Sequence, residues 1–152
     1  MKINSLEGNE MKVEVKSVQE IKGSKKDVWD IVGPFDKISS WFDGILKTEM
    51  KTASNGNSTR TLTLANEVVL TDELVDEKDF SYTYKIIEGE LPFENYVATI
   101  GVKDSKDGVS LYYEVSIDVS EKNKDDSITF LEGLYVDAFK KVQSMVEKRD
   151  VK

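Results

Sequence analysis

Two charged residues in a stretch of alternating polar and apolar residues are the first candidates for chemistry. Arg60 and Glu73 lie near the two ends of the segment TRTLTLANEVVLTDEL, residues 59–74, which is interrupted at Ala65-Asn66-Glu67. The alternation predicts two β-strands joined by a short hairpin. If the loop consists of Asn66 and Glu67 alone, Arg60 lies directly opposite Glu73 and both point to the same face of the sheet.

Such a pair could transfer protons if it faced a cavity. The glutamate would be the acid or base, and the arginine would bind an anionic or carbonyl oxygen through its fixed set of donors. An exposed cross-strand ion pair, worth about 0–1 kcal/mol, and a pair at the rim of the sheet fit the same pattern. Arg60 shares its face with Leu62, whereas Val68 and Leu70 fall on the opposite face of the second strand. A loop one residue longer or shorter would place Arg60 and Glu73 in different registers.

The composition narrows the chemistry. The chain has no histidine and no cysteine, so it lacks the commonest acid–base group, the thiolate nucleophile and the usual ligands of transition metals. We therefore expect no metal site and no cofactor. The net charge of -8 argues against nucleic acid and anionic membranes as partners, because their binding requires clustered cations.

The length of the chain indicates one domain, residues 1–152. The sequence has no apolar stretch long enough to insert into a membrane. Its N-terminus, MKINSLEGNEMK, has no apolar signal core, so we expect a cytoplasmic protein.

The elements that would position the charged pair follow from periodicity. MKVEVKSVQEIK alternates as a strand, and GSKKDVWDIVGPFDKISSWFDG predicts two short helices, the first capped by Ser24 and ended at Gly33-Pro34. From Ile45 onward, six alternating segments separated by short turns predict an antiparallel meander. The last segment, with Asp126 or Ser127 as its cap, has the apolar stripe of a long helix. We predict an α+β fold in which a curved seven-stranded antiparallel sheet wraps around this C-terminal helix.

Several tyrosines fall on the predicted concave face of the sheet. Tyr82, Tyr96 and Tyr113 alternate with polar residues on three successive strands. A buried tyrosine hydroxyl needs a hydrogen-bond partner, so each pairs internally or faces a ligand or water in a cavity. Core packing and pocket lining are both compatible with the sequence.

These motifs together resemble the START-related helix-grip superfamily, which includes polyketide cyclase/dehydrase-like proteins and the plant lachrymatory-factor synthases. The resemblance rests on SKKDVWDIVGPFDKISSW, TRTLTL, DELVDEKDFSYTYKI, LPFENYVATIGV and GVSLYYEVSI, and on the glycine-containing last helix. In the synthase-like branch an arginine and a glutamate on adjacent strands face the cavity, and the matching residues are Arg60 and Glu73.

The resemblance implies a hydrophobic or aromatic small molecule bound in an internal cavity, with cyclase/dehydrase-type proton transfer by Arg60 and Glu73 if the protein is an enzyme. Likeness of fold alone does not establish enzymatic activity. A non-catalytic carrier or sensor of lipids or small molecules, and a chaperone-interaction protein, are the alternatives. We expect a monomer or dimer. The residues expected to contact the ligand are Trp41, Leu62, Thr71, Tyr82, Tyr96, Tyr113 and Tyr135.

Overall fold

The structure is a computed structural model that describes residues 10–150, with side chains described for residues 10–148. Residues 1–9, 151 and 152, which the single-domain and N-terminal predictions include, lie outside the described residues. The strands are β1 (Glu10–Ile21), β2 (Ile45–Thr52), β3 (Ser58–Leu64), β4 (Val69–Lys78), β5 (Ser81–Glu88), β6 (Glu94–Ser105) and β7 (Gly108–Ser120). The helices are α1 (Lys25–Val32), a 3-10 helix (Phe35–Ser40), α2 (Glu121–Gly133) and α3 (Val136–Asp150).

The seven strands form one antiparallel sheet. Its order is β1-β7-β6-β5-β4-β3-β2, so β2 to β7 are a continuous meander and β1 adds to the free edge of β7. The two C-terminal helices lie against this curved sheet. The predicted α+β helix-grip arrangement is therefore confirmed.

Alternation along the strands determines which side chains enter the core. Tyr82 on β5, Tyr96 on β6 and Tyr113 on β7, which were predicted to face the concave side, are buried. The ring of Tyr113 packs against that of Tyr135, which directly precedes α3, at 4.4 Å between centroids. The buried residues of α3 recur at helical spacing, as in Ala138 and Val142. Removing this apolar surface from water favours the fold by about 25 cal/mol per Å².

The hairpin between β3 and β4 differs from the prediction. Leu62 pairs with Leu70, and the amide of Leu64 donates to the carbonyl of Val68 at 2.9 Å. The loop therefore has three residues, Ala65-Asn66-Glu67, rather than two. Glu67 adopts a positive φ of 71°, the left-handed conformation that commonly closes such loops.

The C-terminal helix begins earlier than predicted and is interrupted. The hydroxyl of Ser120 caps α2 by accepting from the amide of Asn123 at 3.3 Å, so neither Asp126 nor Ser127 is the cap. The helix breaks at Leu134-Tyr135 before α3 continues. At α1 the predicted cap is confirmed, since Ser24 accepts from the amide of Asp27 at 3.0 Å. No helix within residues 10–150 is both long and apolar enough to cross a membrane.

Candidate functional site

A cavity of about 290 Å³ lies between the concave face of the sheet, the 3-10 helix with the loop after it, and the junction of α2 and α3. Besides tyrosine hydroxyls, the polar lining side chains among the described residues are those of Asn66 and Asp72. Its walls are therefore almost entirely apolar or aromatic. The lining residues are Ile38, Phe42, Gly44, Ile45, Leu62, Leu64, Ala65, Asn66, Leu70, Asp72, Tyr84, Ile86, Tyr96, Phe130, Leu134 and Tyr135.

One buried ion pair stands at the wall of this cavity. Nε of Arg60 donates to Oδ2 of Asp72 at 2.8 Å, and the two side chains are 0% and 3% exposed. Arg60 and Asp72 are direct cross-strand neighbours on β3 and β4, so the three-residue loop sets their pairing. Because burying a charge costs several kcal/mol, a pair in such a place persists only with good geometry and further hydrogen bonds.

The rest of the Arg60 guanidinium is held by the core. Nη1 donates to the carbonyl oxygen of Phe35 at 2.9 Å and to the hydroxyl of Tyr82 at 3.3 Å. The guanidinium carbon lies 4.0 Å from the centre of the Phe35 ring and 5.0 Å from that of Tyr84. Nη2 is buried and has no hydrogen-bond partner among the described residues. Arg60 therefore borders the cavity through Asp72 and does not line it.

Burial and charge act in opposite directions on the carboxylate. Burial raises the pKa of Asp72, and the charge and hydrogen bond of Arg60 lower it without cancelling the rise. Burial lowers the pKa of Arg60, but the neighbouring Tyr82 and Asp72 more than compensate, so this side chain stays cationic. Asp72 is thus a stronger base than a carboxylate in water, placed at an apolar wall.

Four buried tyrosines form a connected set of hydroxyls, which we call the tyrosine quartet. The hydroxyl of Tyr84 lies 2.7 Å from those of Tyr135 and Tyr96, and the hydroxyl of Tyr96 lies 2.7 Å from that of Tyr113. The members come from β5, β6, β7 and the break between α2 and α3. Burial is the main reason that the pKa of each hydroxyl is raised. The quartet therefore stays protonated at neutral pH.

The predicted pair of Arg60 and Glu73 is wrong. Glu73 lies opposite Thr59, on the other face of β4 from Asp72. Its Oε2 accepts from the side-chain amides of Asn55 at 2.9 Å and Asn57 at 2.7 Å. These hydrogen bonds lower the pKa of Glu73. The residue is an anchor for the β2–β3 loop, on the convex side of the sheet.

The same shift in register displaces Thr71. Its hydroxyl lies 3.0 Å from that of Thr61 on the convex face and also donates to Glu88 at 3.3 Å. Thr71 was expected to contact a ligand together with Leu62, but the two residues are on opposite faces, and Thr71 does not line the cavity.

The other predicted ligand residues lie on the cavity side of the sheet. Leu62, Tyr96 and Tyr135 line the cavity. Trp41 lies behind this layer, with its ring stacked on Tyr135 at 6.0 Å between centroids. Tyr82 and Tyr113 are also behind it, where they hydrogen-bond to Arg60 and Tyr96.

Two residues that sequence reasoning missed define the polar part of the site. The prediction paired Arg60 with Glu73 instead of Asp72, and Tyr84 is not among the residues predicted to contact a ligand. The signal for Asp72 was the apolar pair Val68 and Leu70, which share its face and indicate that this face is buried.

The cavity opens where α2 passes the β3–β4 loop. Phe130 on α2 is 50% exposed although it lines the cavity. Ala65 and Asn66 form the opposite rim, with Phe42 and Leu134 beside them. An apolar molecule could enter there without crossing the sheet. Within residues 10–150, no three carboxylates lie close enough together to hold a metal ion.

The chain is similar to one known protein family and to several solved structures. Residues 12–147 match the model of a family described as polyketide cyclase/dehydrase and lipid transport. None of the curated proteins compared with the chain matches it. Among solved structures, a protein from Bacillus thuringiensis is 25% identical with a TM-score of 0.75, and the match covers 88% of this chain and 98% of that one.

Two further solved structures are more distant in sequence and share the fold. Norcoclaurine synthase from Thalictrum flavum, in complex with dopamine and hydroxybenzaldehyde, is 14% identical with a TM-score of 0.73, covering 97% of this chain and 94% of that one. The di-domain ARO/CYC StfQ from the steffimycin biosynthetic pathway is 11% identical with a TM-score of 0.75, covering 93% and 53%.

Proposed function

Because the chain belongs to the polyketide cyclase/dehydrase and lipid transport family, we propose that it binds a hydrophobic or aromatic small molecule in the cavity between the sheet and the C-terminal helices. The observation that carries the proposal is the cavity itself. Its walls are largely apolar, its polar groups are few, and it opens to solvent beside Phe130. This combination is typical of small-molecule sites.

The volume sets the size of the molecule. A dry apolar cavity of about 150 Å³ holds a benzene molecule, and this cavity has about 290 Å³. Two fused rings with a short substituent are therefore a suitable probe. The aromatic side chains around the space, such as Phe42 and Tyr96, favour a ring over a flexible chain because they offer flat contact surfaces.

A binding experiment with a matched pair of variants tests this proposal. Calorimetric titration with 2-acetylnaphthalene measures affinity, and Leu64→Trp fills the cavity from a half-buried lining position. We expect Leu64→Trp to weaken binding by about tenfold or more, which corresponds to about 1.4 kcal/mol. Thr63→Trp places the same residue on the opposite face of the strand and should bind as the wild type does. Absence of binding by the wild type, or equal affinity of the two variants, would exclude this cavity as the site.

The second candidate function is proton transfer, which the position and basicity of Asp72 favour. In a ketone held in the cavity, Asp72 would remove a proton from the carbon next to the carbonyl. The C–H electron pair then forms the C=C bond of an enolate, whose oxygen a tyrosine hydroxyl stabilises. Arg60 keeps Asp72 ionised and in place. Asp72 thereby takes the role that the sequence suggested for Glu73.

Exchange of carbon-bound hydrogen tests the second candidate separately. In D₂O, nuclear magnetic resonance should show the methyl protons of 2-acetylnaphthalene exchanging faster with the protein than without it. Asp72→Asn should abolish the acceleration while Glu73→Gln retains it. If Asp72→Asn exchanges as fast as the wild type, Asp72 is not the base. Binding without any accelerated exchange would contradict proton abstraction from this ketone by Asp72 and would favour the carrier or sensor alternative.

A further inference from the structure

The tyrosine quartet has more protons than internal hydrogen bonds. Its four hydroxyls carry four protons, and each hydroxyl can donate only one. Three hydrogen bonds join them, so whichever way these bonds are directed, one proton is left to point outside the quartet. This surplus follows from connectivity alone, because any unbranched chain of hydroxyls has one bond fewer than it has protons.

The position of the surplus proton is limited by the surroundings. No hydroxyl of the quartet hydrogen-bonds to an acceptor outside it within the part of the chain that the structure describes. Tyr113 is fully buried and does not line the cavity, so a proton directed outward from it would be unsatisfied. Tyr84, Tyr96 and Tyr135 do line the cavity. An outward proton on any of these three belongs to a residue that borders the space where a ligand would lie.

Leaving that donor without an acceptor is unfavourable. A buried polar group with no partner is destabilising, and the lining side chains outside the quartet that carry an acceptor atom are those of Asn66 and Asp72. One oxygen of the Asp72 carboxylate accepts from Arg60, and no hydroxyl of the quartet hydrogen-bonds to Asp72 or Asn66. A ligand that carries an acceptor oxygen on an apolar body would satisfy the surplus proton, whereas a pure hydrocarbon of the same shape would not.

We infer that the tyrosine quartet acts as one shared hydrogen-bond donor and selects ligands with a carbonyl-type acceptor oxygen on a ring system. This inference rests on the proposed function, since it names the ligand class for the same cavity. The raised pKa of each hydroxyl keeps the quartet a donor across the neutral range. The selected class comprises aromatic ketones and aldehydes, and excludes hydrocarbons of equal size.

Two probes of nearly equal shape test the inference. 2-Acetylnaphthalene has a carbonyl oxygen where 2-isopropenylnaphthalene has a CH₂ group. Calorimetry on the wild type should show the ketone binding about tenfold or more tightly than the alkene. The carbonyl stretching frequency of the bound ketone should be lower than in an alkane solvent, as expected for an oxygen that accepts a hydrogen bond.

A variant with all four quartet tyrosines replaced by phenylalanine removes every hydroxyl without orphaning a partner, a kind of exchange that can be nearly neutral for stability. Its ketone-to-alkene affinity ratio should fall to about one, while the alkene still binds. Tyr112→Phe, outside the quartet, is the matched control and should keep the wild-type ratio. Circular dichroism verifies that both variants fold.

The outcomes distinguish failure of the inference about the tyrosine quartet from failure of the proposed function. Equal binding of ketone and alkene by the wild type overturns the inference and leaves the proposed function intact. Binding of neither probe contradicts the proposed function itself. If the fourfold variant does not fold, the infrared spectrum of the wild-type complex decides, because an unshifted carbonyl frequency rules out donation from the quartet.

Discussion

Replacement of Arg60 by methionine should destabilise the protein strongly. The guanidinium is 0% exposed and its Nε lies 2.8 Å from a carboxylate that is 3% exposed. Removing one partner of such a pair leaves an uncompensated buried charge, which costs about 3–5 kcal/mol. For a domain of this size each kcal/mol lowers the melting temperature by about 2–4 °C, so a decrease of about 10 °C is expected.

The double variant Arg60→Met/Asp72→Leu tests whether the loss of stability comes from the unpaired buried carboxylate. Replacing both members of a buried pair by apolar residues is often neutral or stabilising, so the double variant should regain most of the loss. Urea denaturation, followed by tryptophan fluorescence at neutral pH, gives the free energies of unfolding for the four members of the cycle. A loss below about 1 kcal/mol for Arg60→Met, as found for exposed pairs, or additive losses in the double variant, would refute this account.

The pH dependence of Arg60→Met follows from the same pair. Burial already raises the pKa of Asp72, and loss of the guanidinium removes a group that lowers it. A carboxyl whose pKa is raised by folding contributes stability that is present at low pH and lost as the pH rises through the folded-state pKa. The deficit of Arg60→Met relative to the wild type should therefore shrink when the pH is lowered from neutral toward the titration range of the carboxylates, before global acid unfolding begins.

Three further predictions concern hydrogen bonds. Glu73→Gln should be less stable than the wild type at neutral pH. The difference in urea midpoints should close as the pH falls through the folded-state pKa of Glu73, because the hydrogen bonds from Asn55 and Asn57 lower that pKa. A difference that does not change with pH would contradict this. In urea denaturation, Tyr84→Phe should lower the free energy of unfolding by about 2 kcal/mol because it loses two hydrogen bonds. Tyr113→Phe should lower it by about 1 kcal/mol because it loses one. The reverse order would contradict the connectivity of the quartet. Ser120→Ala should cost about 1 kcal/mol by removing the cap of α2, whereas Ser127→Ala, at the cap position that the sequence suggested, should lose no capping bond.

The sequence was sufficient for the architecture because each element repeats its pattern many times. Alternation in β5, β6 and β7 assigned Tyr82, Tyr96 and Tyr113 to the concave face, where they are buried. A strand of eight or more residues averages over single exceptions, so its buried face is well determined.

The pairing across the β3–β4 hairpin was not determined in this way. One residue in the loop decides whether Arg60 faces Asp72 or Glu73. Because both candidate partners are acidic, charge pairing with Arg60 does not distinguish the two registers. The apolar residues Val68 and Leu70 pointed to the face of Asp72, but the turn chemistry of Ala65-Asn66-Glu67 is compatible with two loop lengths.

The tyrosine quartet could not be predicted from the sequence, for a different reason. Pattern places Tyr84, Tyr96 and Tyr113 on one face, but hydrogen bonds of 2.7 Å depend on strand register and ring orientation. The fourth member, Tyr135, comes from a break in a helix that the apolar stripe predicted to be continuous. Long-range convergence of side chains is a property of the packed fold and not of any local period.

A crystal structure of the protein with 2-acetylnaphthalene tests the proposed function most directly. The proposal predicts density for the ring system among Leu62, Ile86 and Leu134, with the ketone oxygen within hydrogen-bond distance of a hydroxyl of Tyr84, Tyr96 or Tyr135. Density for the ligand only on the outside of the sheet, or an unoccupied cavity at saturating ligand, would contradict it.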